Sequence, residues 1–364
     1  MKNKTKQIVL LVLIPVILII IIVSIIFTGN EEKDLPKVGL VLTGTKADSG
    51  WNSGHYEGAK YACDKLGAEL IVIENVPEDS KQCEDAIRKL AKDDAAMIIL
   101  SSYAYPMLVT DVIAEYPDIA FYGSSAEFTA DNMTSYFGRM YQARYLAGIV
   151  AGMKTESNQI GYVASMPNAE VNRGINAFTL GVKSVNPDAT VYVMWTGSWE
   201  NESSEIKATE RLIAEVSADV ITYHQNQHYV AQTADEAGIY SIGYNEEVKG
   251  LSDKYLTAAV WNWKALYYQI VRELMLNETN TVRRHWFGMD TGVVELSEFS
   301  SCVDEDTIRQ VETAKQEFLS GKDVFSGVIY DNTGELRCDV GETISDEILL
   351  NQLDWYVDGV VIYE

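Results

Sequence analysis

Short apolar runs recur along the chain at intervals that leave room for one helix between each pair. Runs at 38–42, 69–74, 96–101 and 120–122 alternate with stretches of helical spacing at 53–66, 80–92, 106–116 and 139–153. A second series opens at Gln159, with strands predicted at 160–164, 190–195, 220–223 and 240–243 and helices at 170–184, 201–215 and 229–237. The strands are continuously apolar rather than alternating, as expected of parallel sheets covered on both faces. The pattern therefore predicts an α/β chain of two lobes, each a parallel sheet flanked by helices. A helix over 261–275 returns to the first lobe, and 328–363 reads as short strands around 331–334 ending in the apolar run 357–363. On this reading the first lobe is 37–154 plus about 261–284, and the second is 155–260 plus about 285–327. Residues 328–364 add strands packed on the lobes. Ligands of open α/β sheets sit at the carboxyl ends of the strands. Two sheets opening on one cleft describe a hinged binding protein.

One apolar run is too long for this scheme. Residues 8–27 are broken only by Pro15 and Ser24, and about 20 apolar residues span a bilayer core whereas a cleaved leader needs about 7–15. Lys2, Lys4 and Lys6 precede the run, and Glu31, Glu32 and Asp34 follow it. That asymmetry leaves the N-terminus in the cytoplasm. The segment 1–28 reads as a signal anchor and 29–36 as a linker, which holds the binding domain on the extracellular side of the cell membrane. A long signal peptide cut near Thr28 and Gly29 is the alternative.

Composition narrows the function further. The 364 residues suffice for two domains, and a formal charge of −24 argues against nucleic acid as a partner. Cys63, Cys83, Cys302 and Cys338 lack metal-ligand spacing. Cys63 and Cys83 fall at opposite ends of the strands, so free thiols are expected there; a Cys302–Cys338 pair stays open. The chain carries no nucleophile elbow, phosphate loop or zinc-protease motif, so neither catalysis nor a cofactor is expected. His224 and His228 have i, i+4 spacing but straddle a loop and lack a third ligand.

The remaining chemistry is aromatic and amide groups after the strands. Asp48, Trp51 and Asn52 follow the first strand, Tyr103 and Tyr105 the third, and Trp199 the run 190–195. His224, Gln225 and Asn226 follow the next strand, Tyr244 and Asn245 the one after, and Trp261 and Trp263 the last. Such groups sandwich a planar heterocycle and read its edge. Arg139 and Arg144 lie on YFGRMYQARYLAGIVAGM (136–153), where they either clamp an anion or tie the helix to a loop through carbonyls. The small residues of that helix allow close packing against the sheet.

These stretches together resemble the basic membrane protein (BMP) family, substrate-binding proteins of ABC importers that include purine nucleoside receptors. The matching segments are ADSGWN at 47–52, TADNMTSYFGRMYQARYLAGIVAG at 129–152 and GYVASMPNAEVNRGINAFTLGVKSVNP at 161–187, followed by VYVMWTGSW at 191–199, GYN at 243–245, LTAAVWNW at 256–263 and WFGMDTGVV at 286–294. The resemblance implies a type I periplasmic-binding-protein-like fold, a monomer that closes on a purine for ABC permease and ATPase subunits. By its pattern Asp48 matches the family aspartate of the first loop, and Trp51 and Trp199 match the two stacking aromatics. Asn245 stands where nucleoside binders carry an aspartate, and Trp261 where they carry a ribose-binding lysine. Those departures shift the expected ligand from a nucleoside toward a free base such as adenine. The expected contacts are Asp48, Trp51, Asn52, Tyr103, Trp199, His224, Asn226, Asn245 and Trp261. A nucleoside receptor and a non-transport sensory module are the alternatives. An extracellular purine enzyme lacks an acid–base or metal set, and a DNA-binding regulator conflicts with the acidic charge.

Overall fold

In the first series, strand β1 (Lys37–Val41) leads into helix α1 (Trp51–Leu66), β2 (Glu69–Ile73) into α2 (Ser80–Lys92), and β3 (Ala95–Leu100) into the short α3 (Tyr105–Leu108) and α4 (Thr110–Glu115). Strands β4 (Ala120–Ser124) and β5 (Met133–Gly138) complete it. The computed structural model describes residues 35–48 and 50–364. The apolar segment 8–27, read as an anchor, lies outside the described residues. Among those described, no helix is long and apolar enough to cross a membrane. Local signals set the helix ends: Asp79 caps α2 by accepting from Gln82 N at 3.2 Å. Gly67, with φ 77°, closes α1 in the left-handed conformation that its missing side chain permits. Strand β5 escapes the sequence pattern because its polar Thr134 and Ser135 resemble a loop, yet all six of its residues are buried in the sheet.

The second series runs α5 (Met140–Lys154), β6 (Gln159–Ala164), α6 (Ala169–Val185), β7 (Thr190–Trp195), α7 (Glu202–Val216), β8 (Val220–His224), α8 (Tyr229–Glu236), β9 (Tyr240–Asn245) and β10 (Tyr255–Trp261). Then follow α9 (Trp263–Leu276), β11 (Arg284–Phe287), β12 (Val294–Leu296), α10 (Glu305–Leu319), the hairpin β13 (Ile329–Tyr330) and β14 (Leu336–Cys338), α11 (Asp346–Asn351) and β15 (Val360–Ile362). Two large sheets result. The first has order β11-β5-β4-β3-β1-β2, and the second β12-β10-β9-β8-β6-β7-β15. Within these two sheets all strands are parallel except β12, which pairs antiparallel with β10 at the edge of the second sheet.

Helix α5 departs from the expected lobe assignment. Its small residues meet helix α6 rather than the first sheet: a side chain at Gly148 would run into the Phe178 carbonyl, and one at Gly181 into that of Tyr145. The backbones of the two helices therefore touch, and α5 also lies against β10 and β12 of the second sheet. The border between lobes falls at Gly138–Arg139, ahead of α5. Helix α9 packs on α1, where Gly58 leaves room for the Trp263 carbonyl and the Tyr267 ring.

The chain thus crosses between sheets three times, after β5, after β10 and after β11. The crossings bind one another. Arg139 N donates to Phe287 O at 2.7 Å, Asn262 N to Val293 O at 2.8 Å, and Trp286 Nε1 to Gly138 O at 3.0 Å. Gly138 is required here because the Trp261 ring and the Val294 side chain fill the space its Cβ would take. Adjacent short crossings of this kind form a hinge. The C-terminal segment joins the second lobe through α6: Asn172 Nδ2 donates to Leu353 O and Asn176 Nδ2 to Trp355 O, each at 2.9 Å. Strand β15 then extends the sheet beside β7. All four cysteines are free, and burial pushes the Cys63 and Cys83 thiols up to about 12.

Candidate ligand-binding cleft

A cleft of about 650 Å³ opens where the carboxyl ends of the two sheets converge. The first lobe lines it with Asp48, Trp51 and Asn52 from the β1–α1 loop, Glu78, and residues after β3 and at the end of β4. The second lobe contributes Glu170 from the start of α6, Trp199, Asn226, Gln227, Tyr244 and Asn245. The lobes nearly meet at Gly50, where a Cβ would lie 3.9 Å from Asn226 O. Among the described lining residues there is no Lys or Arg.

The β1–α1 loop is held by its own side chains. Asp48 Oδ1 accepts from Gly50 N at 3.1 Å and Ser53 N at 2.8 Å; Oδ2 accepts from Asn52 N at 3.2 Å and Asn52 Nδ2 at 2.8 Å. Each carboxylate oxygen thus already has two donors, which uses its accepting capacity. Burial pushes the Asp48 pKa up, but the bonds from Asn52, Ser53 and Gly50 outweigh it and hold the carboxyl below its usual range. Asn52 is equally engaged, accepting on Oδ1 from Thr43 Oγ1 and Gly44 N at 3.1 Å each. Both residues reach the cleft wall, yet their bonding makes them braces of the first helical turn. What they hold in place is Trp51, the first residue of α1. Its Nε1 donates to Ser101 O at 2.9 Å, and its ring lies edge-on to Trp263 with centroids 5.2 Å apart.

Across the cleft, Trp199 follows β7, and its carbonyl accepts from Asn226 N at 2.8 Å, which joins the two loops that carry these residues. Asn245 ends β9 with φ 72°, a left-handed conformation that asparagine tolerates. Its Oδ1 accepts from Trp261 Nε1 at 3.1 Å, which leaves the amide NH₂ as its free function. Tyr103 stands at the rim, 53% exposed, with its hydroxyl on Glu127 at 2.6 Å.

Two expected contacts lie elsewhere. Trp261 is not on the cleft wall. It sits behind Asn245 in the hinge, stacked on Trp263 (4.9 Å, 19°) and tilted against Phe137 (4.9 Å). The crossing after β10 turns its side chain into the bundle rather than out to ligand. His224 is buried beneath the floor, its ring centroid 4.2 Å from that of Tyr244 and 5.8 Å from that of Trp199. It lines a separate chamber of about 10 Å³. His228 turns away from it to Tyr223 Oη at 3.1 Å and Glu246 Oε1 at 3.0 Å. No group of three metal-ligating side chains occurs among the described residues.

Neither Arg139, just ahead of α5, nor Arg144 within it lines the cleft. Arg139 holds Asp346 in a two-pronged pair (2.9 and 2.6 Å), and fully buried Arg144 donates to Tyr223 O at 2.8 Å. Tyr105 is core, its hydroxyl on Val76 O. Glu78, Ser101, Ser124, Glu170 and Gln227 also line the cleft, outside the expected contacts. Ser101 and Ser124 stand at strand ends just as Trp51 does, so the strand-end rule itself locates them. Glu170 carries no such signal, because it belongs to a helix start.

Comparison with known proteins places this geometry. The model of the PnrA-like ABC transporter substrate-binding protein family matches residues 35–323. A purine-binding protein of Brucella abortus is 33% identical over 328 residues, 89% of this chain and 92% of that protein. A Haloferax volcanii protein named as a candidate ABC transporter glucose-binding protein is also 33% identical, over 91% of this chain and 82% of its own length. Among solved structures, a transcriptional activator of the comK gene from Bacillus halodurans superimposes with a TM-score of 0.71 at 22% identity, covering 78% of this chain and 98% of that one. That last likeness concerns the fold alone.

Proposed function

The chain belongs to the PnrA-like ABC transporter substrate-binding proteins, and we propose that its cleft takes a purine, a free base in preference to a nucleoside, and closes on it without chemical change for delivery to permease and ATPase subunits. The observation that carries this reading is the chemistry of the cleft wall. Trp51 and Trp199 come from opposite lobes, amides at Asn226 and Gln227 supply paired donors and acceptors, Asn245 adds a donor, and no cation is among the described lining residues. Flat aromatic faces with amides suit a neutral heterocycle. The absence of Lys and Arg among the described lining residues disfavours phosphate esters and carboxylates, which need a cationic clamp. The preference for a base rests on Asn245, whose carbonyl is taken by Trp261, and on the absence, among the described lining residues, of a lysine to grip ribose hydroxyls. The name of the Brucella relative, a purine-binding protein, supports the purine reading as such. The apolar segment 8–27 would tether the domain outside the cell membrane.

A nucleoside is the second reading, because about 650 Å³ offers more room than a bare base fills. Thermal shift and calorimetry on the full-length protein separate these cases. Hypoxanthine and adenine are expected to stabilise it more than inosine and adenosine. Stabilisation by glucose with none from any purine would overturn the proposal and favour the sugar chemistry of the Haloferax relative's name.

A further inference from the structure

Among the described residues, four carboxylates line the cleft: Asp48, Glu78, Glu170 and Glu200. They differ in what already occupies them. Both oxygens of Asp48 are taken by donors of its own loop, and Glu78 accepts from the Ser102 hydroxyl. Glu200 is exposed, so water solvates it. Glu170, the second residue of α6, is partly buried, and among the described residues no protein group donates a hydrogen bond to its carboxylate. The Arg173 and Arg144 guanidiniums act on it only through space. Their own hydrogen bonds go elsewhere, from Arg173 Nη1 to Leu349 O and from Arg144 Nη2 to Tyr223 O.

A carboxylate withdrawn from water without a donor costs free energy, and closure of the lobes on a ligand raises that cost. Burial pushes the Glu170 carboxyl up, and it outweighs the downward pull of the two guanidiniums. The ligand therefore has to bring the donor. Amides elsewhere on the wall match acceptors and neutral groups of a heterocycle edge, whereas Glu170 offers a shielded and unoccupied charged acceptor. A free purine carries an acidic imidazole N–H whatever its substituent at C6. A nucleoside has lost that hydrogen, because the sugar is bonded to the nitrogen. A charged acceptor gains about twice as much from such an N–H as a neutral one does.

We propose that Glu170 contacts the ligand and accepts the imidazole N–H of a purine base, so that it sets the preference for a free base over a nucleoside. The inference rests on the purine reading of the cleft and deepens it. It holds for oxo- and aminopurines alike, since both carry the imidazole N–H. It also gives the preference a positive determinant, where the missing lysine is only a negative one.

Calorimetry of the full-length protein with adenine and with 9-methyladenine tests it, in the wild type and in Glu170→Gln. The two ligands share the amino group and the stacking faces, and a methyl group in the second replaces the imidazole hydrogen. The wild type should bind adenine at least about tenfold more tightly, the effect of one hydrogen bond to a charged group. Glu170→Gln keeps the shape of the side chain and should bring the ratio down to a few-fold by weakening adenine alone. The melting temperature of the unliganded variant should equal or exceed that of the wild type at neutral pH, because a carboxylate without a donor gives way to a neutral amide. A residue that only holds the fold would lower it. A wild-type ratio near one overturns the assignment. So does a ratio that the substitution leaves unchanged, the methyl group then merely colliding with the wall, and so does weakening of both ligands in proportion. Each of these leaves the purine reading intact. Binding of neither ligand by the wild type would remove the purine reading and the role of Glu170 with it.

Discussion

Asp48 stands on the cleft wall, but its bonds identify it as a positioning residue, and Asp48→Ala separates the two roles. The substitution removes one carboxylate that accepts from Gly50 N, Ser53 N, Asn52 N and Asn52 Nδ2. Loss of a helix-capping acceptor costs about 0.5–2 kcal/mol, and the charged acceptor raises the cost. Partial exposure of the carboxylate screens it and lowers the cost again. The net expectation is about 2 kcal/mol, or about 4 °C in the melting temperature of the unliganded protein. The pH dependence has a definite sign. The folded-state pKa lies below the ordinary value of 3.8, so the stabilisation is fully present above about pH 5 and fades as pH falls through 3.8 and below. Urea unfolding of wild type and variant at a series of pH values between 3 and 7 measures it; the difference should be flat from 5 to 7 and shrink below 4. Affinity should fall as well, because Trp51 loses the turn that aims it. If the unliganded variant is as stable as wild type while affinity alone collapses, Asp48 reads the ligand directly and the argument from its saturated oxygens is wrong.

Three further outcomes follow from the same geometry. Trp199→Ala removes one aromatic wall and should weaken purine binding by roughly 10- to 100-fold in calorimetry, with little change in the melting temperature; unchanged affinity would exclude stacking at this residue. Gly148→Val drives a side chain into the Phe178 carbonyl, and overpacking of this kind should cost about 1–3 kcal/mol in urea unfolding. Glu205 is buried with Oε2 unpartnered, and burial chiefly lifts its pKa from 4.5 to about 7. Its contribution is therefore present below pH 4.5 and lost as pH rises through 7, so Glu205→Gln should match wild type at pH 4 and exceed it at pH 8 by on the order of 2 kcal/mol; equal stability at both would refute the buried-carboxylate account.

The features legible in the sequence are those that a parallel sheet imposes locally. A continuously apolar run such as β3 must be covered on both faces, and whatever follows it must emerge at the ligand end, so Trp51, Trp199, Asn226 and Asn245 were located by position alone. The same rule misplaced Trp261, because β10 does not end at the cleft: its chain turns into a crossing, and the ring is drawn against Phe137, Trp263 and the bare backbone of Gly138. Whether a strand end faces ligand or hinge depends on which crossing follows it, and that is a property of two sheets together. Asp48 illustrates a second limit, since its residue type and place suit a ligand contact and only the four donors around it show the oxygens to be occupied. The chamber lies furthest from local pattern. Arg144, Gly174, His224 and Tyr244 come from α5, α6, β8 and β9, each plausible alone as core or as a helix tie, and they enclose one space only where the four elements meet.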